Sequence, residues 1–257
     1  MDPAITKVHV FPDYSSGFVF MWEVDGSFNM APPWIFRVEE SVSVSGPWVD
    51  ISGPIFNSYM FKARKHPLIN KSNVMYFRVV LTAGENTYFS HVVQPYGDLG
   101  KKDFLIARDI MRKETLHMKG FAGVACRLYT VSTFGPPCVS CRDPITGEIR
   151  DADCRKCFGT GRLNPYSGPY ETWMSFSSDM NHDKIDEGLG TFEPKVFEVR
   201  IVANPVVKKN DIIVDIGSDK RYYVNKAKIV AEIRRVPIVQ TLEVSEAPVS
   251  DKIYSIH

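Results

Sequence analysis

The chain has 257 residues, 44% hydrophobic and 24% charged, enough for two or three domains with cores and unlike a disordered chain. Its 31 Lys and Arg against 30 Asp and Glu leave a formal net charge of +1, which excludes a global basic field for nucleic acid or anionic membrane but not a local patch. Met1-Asp2-Pro3-Ala4-Ile5 lacks the regions of a cleaved signal, and no apolar run reaches bilayer length, so a soluble protein made in a reducing compartment is expected.

Residues 1 to 97 read as β-structure. Phe18, Phe20, Trp22 and Val24 alternate with Val19, Met21, Glu23 and Asp25, and the pattern recurs at Trp34, Phe36 and Val38 and at Phe77, Val79 and Leu81. That is the period of half-buried strands. Asp25-Gly26, Ser45-Gly46-Pro47, Ser52-Gly53-Pro54 and Ala83-Gly84-Glu85-Asn86 supply the turns, so an antiparallel sandwich is expected. Gly17 to Val24, Ser45 to Ser52 with Trp48, and Tyr76 to Leu81 together resemble a fibronectin type III domain. The resemblance implies that Trp22 and Trp34 are core. Met75 stands where that family usually has its corner tyrosine, and Tyr76 faces out.

After Tyr96-Gly97-Asp98-Leu99-Gly100 the chain turns helical from Lys101 to Lys119, with Phe104, Ala107, Ile110 and Met111 as a narrow apolar stripe and Gly120 as the stop. Such a helix is expected to lie across a surface, its own or a partner's. Beyond Phe121 strand signals return, with Cys126 as a small buried hydrophobe in Gly123 to Thr130.

Four more cysteines form a cluster. Cys138-x2-Cys141, a spacer of twelve residues and Cys154-x2-Cys157-Phe-Gly159-Thr-Gly161 have the spacing of two knuckles completing one tetrahedral zinc site. Gly159 allows the close turn that brings amides to the sulfurs. Two disulfides need an oxidising setting, and an iron–sulfur cluster does not match ribbon spacing. Four thiolates leave no open position for water, so the zinc is structural. The second half resembles the cysteine-rich module of J-domain chaperones, and the whole a short zinc ribbon. Only one such unit is present, so unfolded-protein binding is not carried over. Pro137-Cys138 also resembles half of the nucleobase deaminase signature, but no histidine has a glutamate two residues on. Arg142, Arg150, Arg155, Lys156 and Arg162 are interleaved with Asp143, Glu148, Asp151 and Asp153, which reads as a solvated mixed-charge face rather than a nucleic-acid platform.

Asp179-Met-Asn181-His-Asp183 begins like a calcium loop, but Lys184 and Gly190 replace the glycine and glutamate that such a loop needs. It reads as a surface loop. No phosphate loop, nucleophile elbow or zincin motif is present, and an enzyme is not expected.

Residues 195 to 256 form a second run of alternating strands: 196–202, 212–216, 221–224, 229–233 and 238–244. The stretch Val206 to Val224, with an Asn210-Asp211 turn, a Gly217-Ser-Asp219 reversal and a Tyr222-Tyr-Val224 return, resembles the small barrel of tailed-bacteriophage head–tail connector, or stopper, proteins.

The expected protein is thus mainly β: a fibronectin III-like sandwich over 1–97, a linker and helix over 98–120, and a β-barrel over 121–257 with a zinc loop at 136–165 held by Cys138, Cys141, Cys154 and Cys157. The connector resemblance implies a structural virion protein of the head–tail neck, assembled in the host cytoplasm. Its partners would be copies of itself in a ring and neighbouring portal, adaptor, tail-terminator or tail proteins. Arg234 and Arg235 are candidates for facing a partner or lumenal DNA. A tail or baseplate protein, and a nucleic-acid-binding zinc ribbon, are the alternatives.

Overall fold

Apolar alternation needs a second layer to bury against, and each run of strands finds one. The computed structural model describes residues 4–12, 17–28, 30, 32–63, 75–94, 99–143, 146–177 and 196–256. Within them the chain is mainly β, with fourteen strands, one long helix and two short helical turns. Contacts divide it into two compact units, Met1–Phe104 with Ser132–Ser167, and Leu105–Val131 with Gly168–His257. Tyr96-Gly97, Lys195, His66, His182, His257 and the 179–190 loop lie outside the described residues.

In the first unit β1 (Ile5–Pro12), β2 (Phe18–Val24) and β6 (Met60–Ala63) form one sheet in the order β1-β2-β6. The second sheet runs β4-β3-β7-β8, from β3 (Trp34–Ser41), β4 (Val49–Asp50), β7 (Tyr76–Ala83) and β8 (Asn86–Phe89), with β5 (Ile55–Phe56) also on β3. Phe18, Phe20, Trp22 and Val24 from one sheet and Trp34, Phe36, Val38, Phe77, Val79 and Leu81 from the other share one buried cluster, so the sheets are sandwiched. Phe20 meets Phe77 edge-on at 4.9 Å. Trp22 and Trp34 are core, Met75 is buried and Tyr76 is half-buried. Val19, on the opposite register to the core face, is buried as well.

The second unit opens with α1 (Lys101–His117), most of which belongs to it. Its inner stripe is Phe104, Ala107, Thr115 and the following Met118, with Met111 half-buried. Ile110, expected inside, is exposed together with Leu105, Ile106 and Leu116. Gly120 does not stop the helix. The chain winds on through a π-turn (Met118–Ala122) and ends where the Gly123 N–H bonds the Met118 carbonyl at 2.8 Å. A Cβ on Gly123 would lie 2.9 Å from that carbonyl oxygen, so close approach of backbone, not the glycine three residues earlier, sets the end.

Six strands then close a barrel in the order β10-β11-β14-β13-β12-β9. They are β9 (Val124–Val131), β10 (Tyr166–Ser177), β11 (Val196–Val202), β12 (Ile212–Asp215), β13 (Arg221–Ile233) and β14 (Val236–Glu246). Leu128, Met174, Ile201, Ile212, Val224, Leu242 and Val244 are among its buried residues. The two segments read separately at 221–224 and 229–233 are one long strand, with register shifts between Val224 and Lys226 and between Ile229 and Glu232. Several of the polar groups inside are paired, although Asn204 Oδ1 and Arg221 Nε are buried without a hydrogen-bond partner. Gln240 takes the Val207 N–H at 2.8 Å and gives its own N–H to the Val207 carbonyl at 3.0 Å. Asp211, fully buried, accepts from the amides of Val131 and Lys208 at 2.8 and 2.7 Å. Burial pushes its carboxyl up to about 7 against those two bonds. Arg221 bonds the carbonyls of Ile253 and Ile256 and so holds the terminal 3-10 turn, Lys252–Ser255.

Candidate metal centre

The chain reverses at the first Cys-x2-Cys and again just after the second. The Arg142 N–H bonds the Cys138 carbonyl at 3.0 Å, and the Thr160 N–H bonds the Cys157 carbonyl at 2.9 Å. The knuckles are tied to each other by the Cys138 N–H on the Gly161 carbonyl at 2.9 Å, and the Arg150 N–H reaches the Cys141 carbonyl at 2.7 Å. At the second knuckle Phe158, Gly159 and Gly161 all adopt left-handed backbone, Gly159 at φ 77°. Phe158, at φ 52°, sets its ring edge-on to Tyr166 at 5.7 Å. Gly161, at φ 71°, has its missing Cβ 3.0 Å from the Ile149 side chain, so no other residue fits there without displacement.

The result is four buried sulfurs brought together at one point. The Sγ atoms of Cys138, Cys141, Cys154 and Cys157 all lie within 4.8 Å of one another, and all four residues are buried. Cys138 and Cys154 are 4.0 Å apart and Cys141 and Cys157 3.1 Å. A tetrahedral tetrathiolate with bonds of about 2.3 Å needs sulfurs about 3.8 Å apart, between those two values. Disulfide sulfurs would stand about 2.05 Å apart, and none of the cysteines is bonded to another.

The backbone prepares the site for negative charge. The amides of Cys157 and Lys156 hydrogen-bond the Cys154 sulfur and bring its thiol down to about 7. Burial pushes the Cys157 thiol up, against the Cys141 thiol and the amides of Gly161 and Gly159, which hydrogen-bond its sulfur. The Cys141 thiol is pushed up by its hydrogen bond to Cys157 and by burial. Four crowded sulfurs cannot all ionise alone; a cation at their centre removes that conflict, and the amides offset the excess charge. The donor set therefore fits a metal ion with no coordination position left over.

No protein-family model matches the chain, and no curated protein matches it.

The loop that carries the sulfurs lies between β9 and β10 in sequence, yet its contacts group Ser132–Ser167 with the sandwich. Phe134 belongs to the sandwich cluster, its ring edge-on to Tyr59 at 4.7 Å. The missing Cβ of Gly135, at φ 116°, would lie 2.7 Å from the Tyr59 hydroxyl, and the Gly135 carbonyl accepts from Arg162 Nη1 at 2.8 Å. The Tyr59 N–H reaches Ser167 Oγ at 3.4 Å, and its carbonyl accepts from the Trp22 N–H at 3.1 Å. Burial drives the Tyr59 phenol up to about 12 and lowers the Arg162 guanidinium. Sequence reading missed Tyr59 and Phe134, because single aromatics in loop-like stretches carry no periodic signal.

The loop's charges are partly consumed within it. Arg150 pairs with Asp143, and Arg142 Nε donates to the Gly147 carbonyl at 2.8 Å. Arg155 and Lys156 are exposed. Cys126 lies apart on β9, buried, its thiol pushed up to about 12 by burial, which disfavours the reactive thiolate.

Proposed function

We propose that the four-cysteine centre holds zinc and that the chain is a structural virion protein of a tailed phage, a subunit of the head–tail neck ring. For zinc, the support is chemical: four thiolates at ribbon spacing, buried, with amides on the sulfurs and no place for a reacting water. Such an ion contributes folding free energy to a loop of more than thirty residues between Ser132 and Ser167. The zinc is a fastener, and no chemistry is assigned to it.

The observation that carries the neck reading is the barrel. The residues from Val206 to Val224 whose order resembles connector proteins form β12, its turn and the start of β13 within a closed six-stranded barrel. Closure ties up strand edges and gives a rigid body, which suits permanent assembly. Identical subunits around a channel close head-to-tail, each presenting two different surfaces. In this reading the barrel supplies the ring contacts, and the portal, adaptor or tail proteins lie on either side. The test is electron microscopy of intact particles with subunits assigned. A ring of this chain between head and tail is expected; a monomer absent from particles and without contact to any virion protein overturns the reading, and a ring in the tail or baseplate moves it there.

A further inference from the structure

The hairpin joining β13 to β14 ends in an unusual two-residue turn. Ile233 pairs with Val236, so the reversal is made by Arg234 and Arg235 alone. Both take left-handed backbone, φ 48° and 69°, the geometry of a turn in which glycine, asparagine and aspartate are favoured because a Cβ is strained there. Both side chains are exposed, and a turn built for stability alone would carry Asn-Gly. Strain kept at exposed positions points to a task outside the molecule.

We propose that this hairpin tip is a binding site for the phosphodiester backbone of duplex nucleic acid, carried by Arg234 and Arg235. Residues 225–235 hold four basic side chains, Lys226, Lys228, Arg234 and Arg235, and one acid, Glu232. That local net of +3 exceeds the +1 of the whole chain. Lys226 is engaged by Glu243 at 3.2 Å; no ion pair joins Lys228 or Arg235 to a carboxylate among the described residues. Lys228 and Arg200 both stand opposite Thr241, but Arg200 is paired with Glu114 at 3.2 Å, which leaves Lys228 as the further basic residue beside the tip.

Shape favours nucleic acid over an acidic protein. From Asn225 to Arg235 nearly every residue of β13 is exposed, whereas β14 beside it is buried at Ile238 to Gln240 and at Leu242 and pairs with β11 as far as Val239, so only the tip from Glu232 to Pro237 stands out as two strands. A two-stranded ribbon enters a major groove about 12 Å wide. Guanidinium forks match phosphate oxygens, and the exposed Ile229 and Val230 offer apolar contact to groove-lining methyl groups. The inference rests on the neck reading only for why duplex DNA would lie beside the subunit.

The test is fluorescence anisotropy of the full metal-loaded chain with a labelled duplex of arbitrary sequence from 50 to 200 mM salt. Binding that weakens steeply with salt is expected. Arg234→Asn with Arg235→Gly should weaken it at least tenfold and flatten the log–log salt slope by about 2. The same variant should melt about 2–4 °C higher, because the turn is relieved, which excludes misfolding as the cause. Arg112→Ala, on the exposed face of α1, should leave binding unchanged. No binding at 50 mM salt, or undiminished binding by the double variant, overturns the proposal. So does polyglutamate displacing the duplex as readily as unlabelled duplex does, which assigns the tip to an acidic protein. Binding through the tip by a chain that particle imaging does not find in the neck supports this site and removes the neck reading.

Discussion

Replacing Trp22 by alanine tests the sandwich where its two sheets meet. The ring is 2% exposed and packs on Phe36 at 5.3 Å. A buried tryptophan removes about 150–250 Å² from water, worth roughly 4–6 kcal/mol at about 25 cal/mol per Å². Part of that is regained as neighbours relax, so Trp22→Ala should cost about 3–5 kcal/mol. The indole N–H adds a second handle, since Trp22 Nε1 is buried without a hydrogen-bond partner. Trp22→Phe keeps a ring and removes that unpaired donor, whose burial costs about 1–3 kcal/mol, so its net effect should stay below about 1.5 kcal/mol. Urea denaturation followed by circular dichroism, with both variants in the full chain, reads these values. A cost below about 1 kcal/mol for Trp22→Ala, the range of surface changes, would refute the packing. Equal losses for the two variants would refute the role given to the ring.

Phe134→Ala should destabilise the first unit by about 3–5 kcal/mol and speed amide exchange across 136–165, because Phe134 joins the loop to the sandwich cluster; hydrogen exchange by mass spectrometry checks both. Residues 1–97 expressed alone should fold cooperatively yet melt below the same unit in the full chain, since they lack Phe134. The Asp211 carboxyl, raised from 3.8 to about 7 by burial, binds protons more tightly folded than unfolded. Its contribution to stability is full below pH 4 and lost as pH rises through about 7. Asp211→Asn should remove that slope between pH 4 and 7 and cost about 1–3 kcal/mol, because an amide nitrogen cannot accept from the Lys208 N–H; urea melts over pH 4–8 read both effects.

Legibility in the sequence followed the strength of the local signal. Alternation at Phe18 to Val24 and Phe77 to Leu81 marks strands because a sheet face repeats every two residues, and the cysteine spacing marks the centre because knuckle geometry is local. The reversal after Ile233 was legible, because 229–233 and 238–244 read as separate strands, but β14 begins earlier, at Val236, and the continuity of β13 from Arg221 to Ile233 was hidden because register shifts interrupt its alternation. Ile110 fits a helical stripe by spacing alone, but that stripe is completed by Thr115 and Met118 instead. The grouping of the cysteine loop with the sandwich depends on Tyr59 meeting Phe134 and Gly135, a contact between distant residues that no window of sequence displays.

The central claim, a structural zinc held by four thiolates, is tested most directly by metal analysis of protein purified under reducing conditions, beside the Cys138→Ser, Cys157→Ser variant. One zinc per chain is expected in the parent and none in the variant, with residues 131–170 loosened. An absence of metal in the parent, with all four thiols free to react, would contradict it.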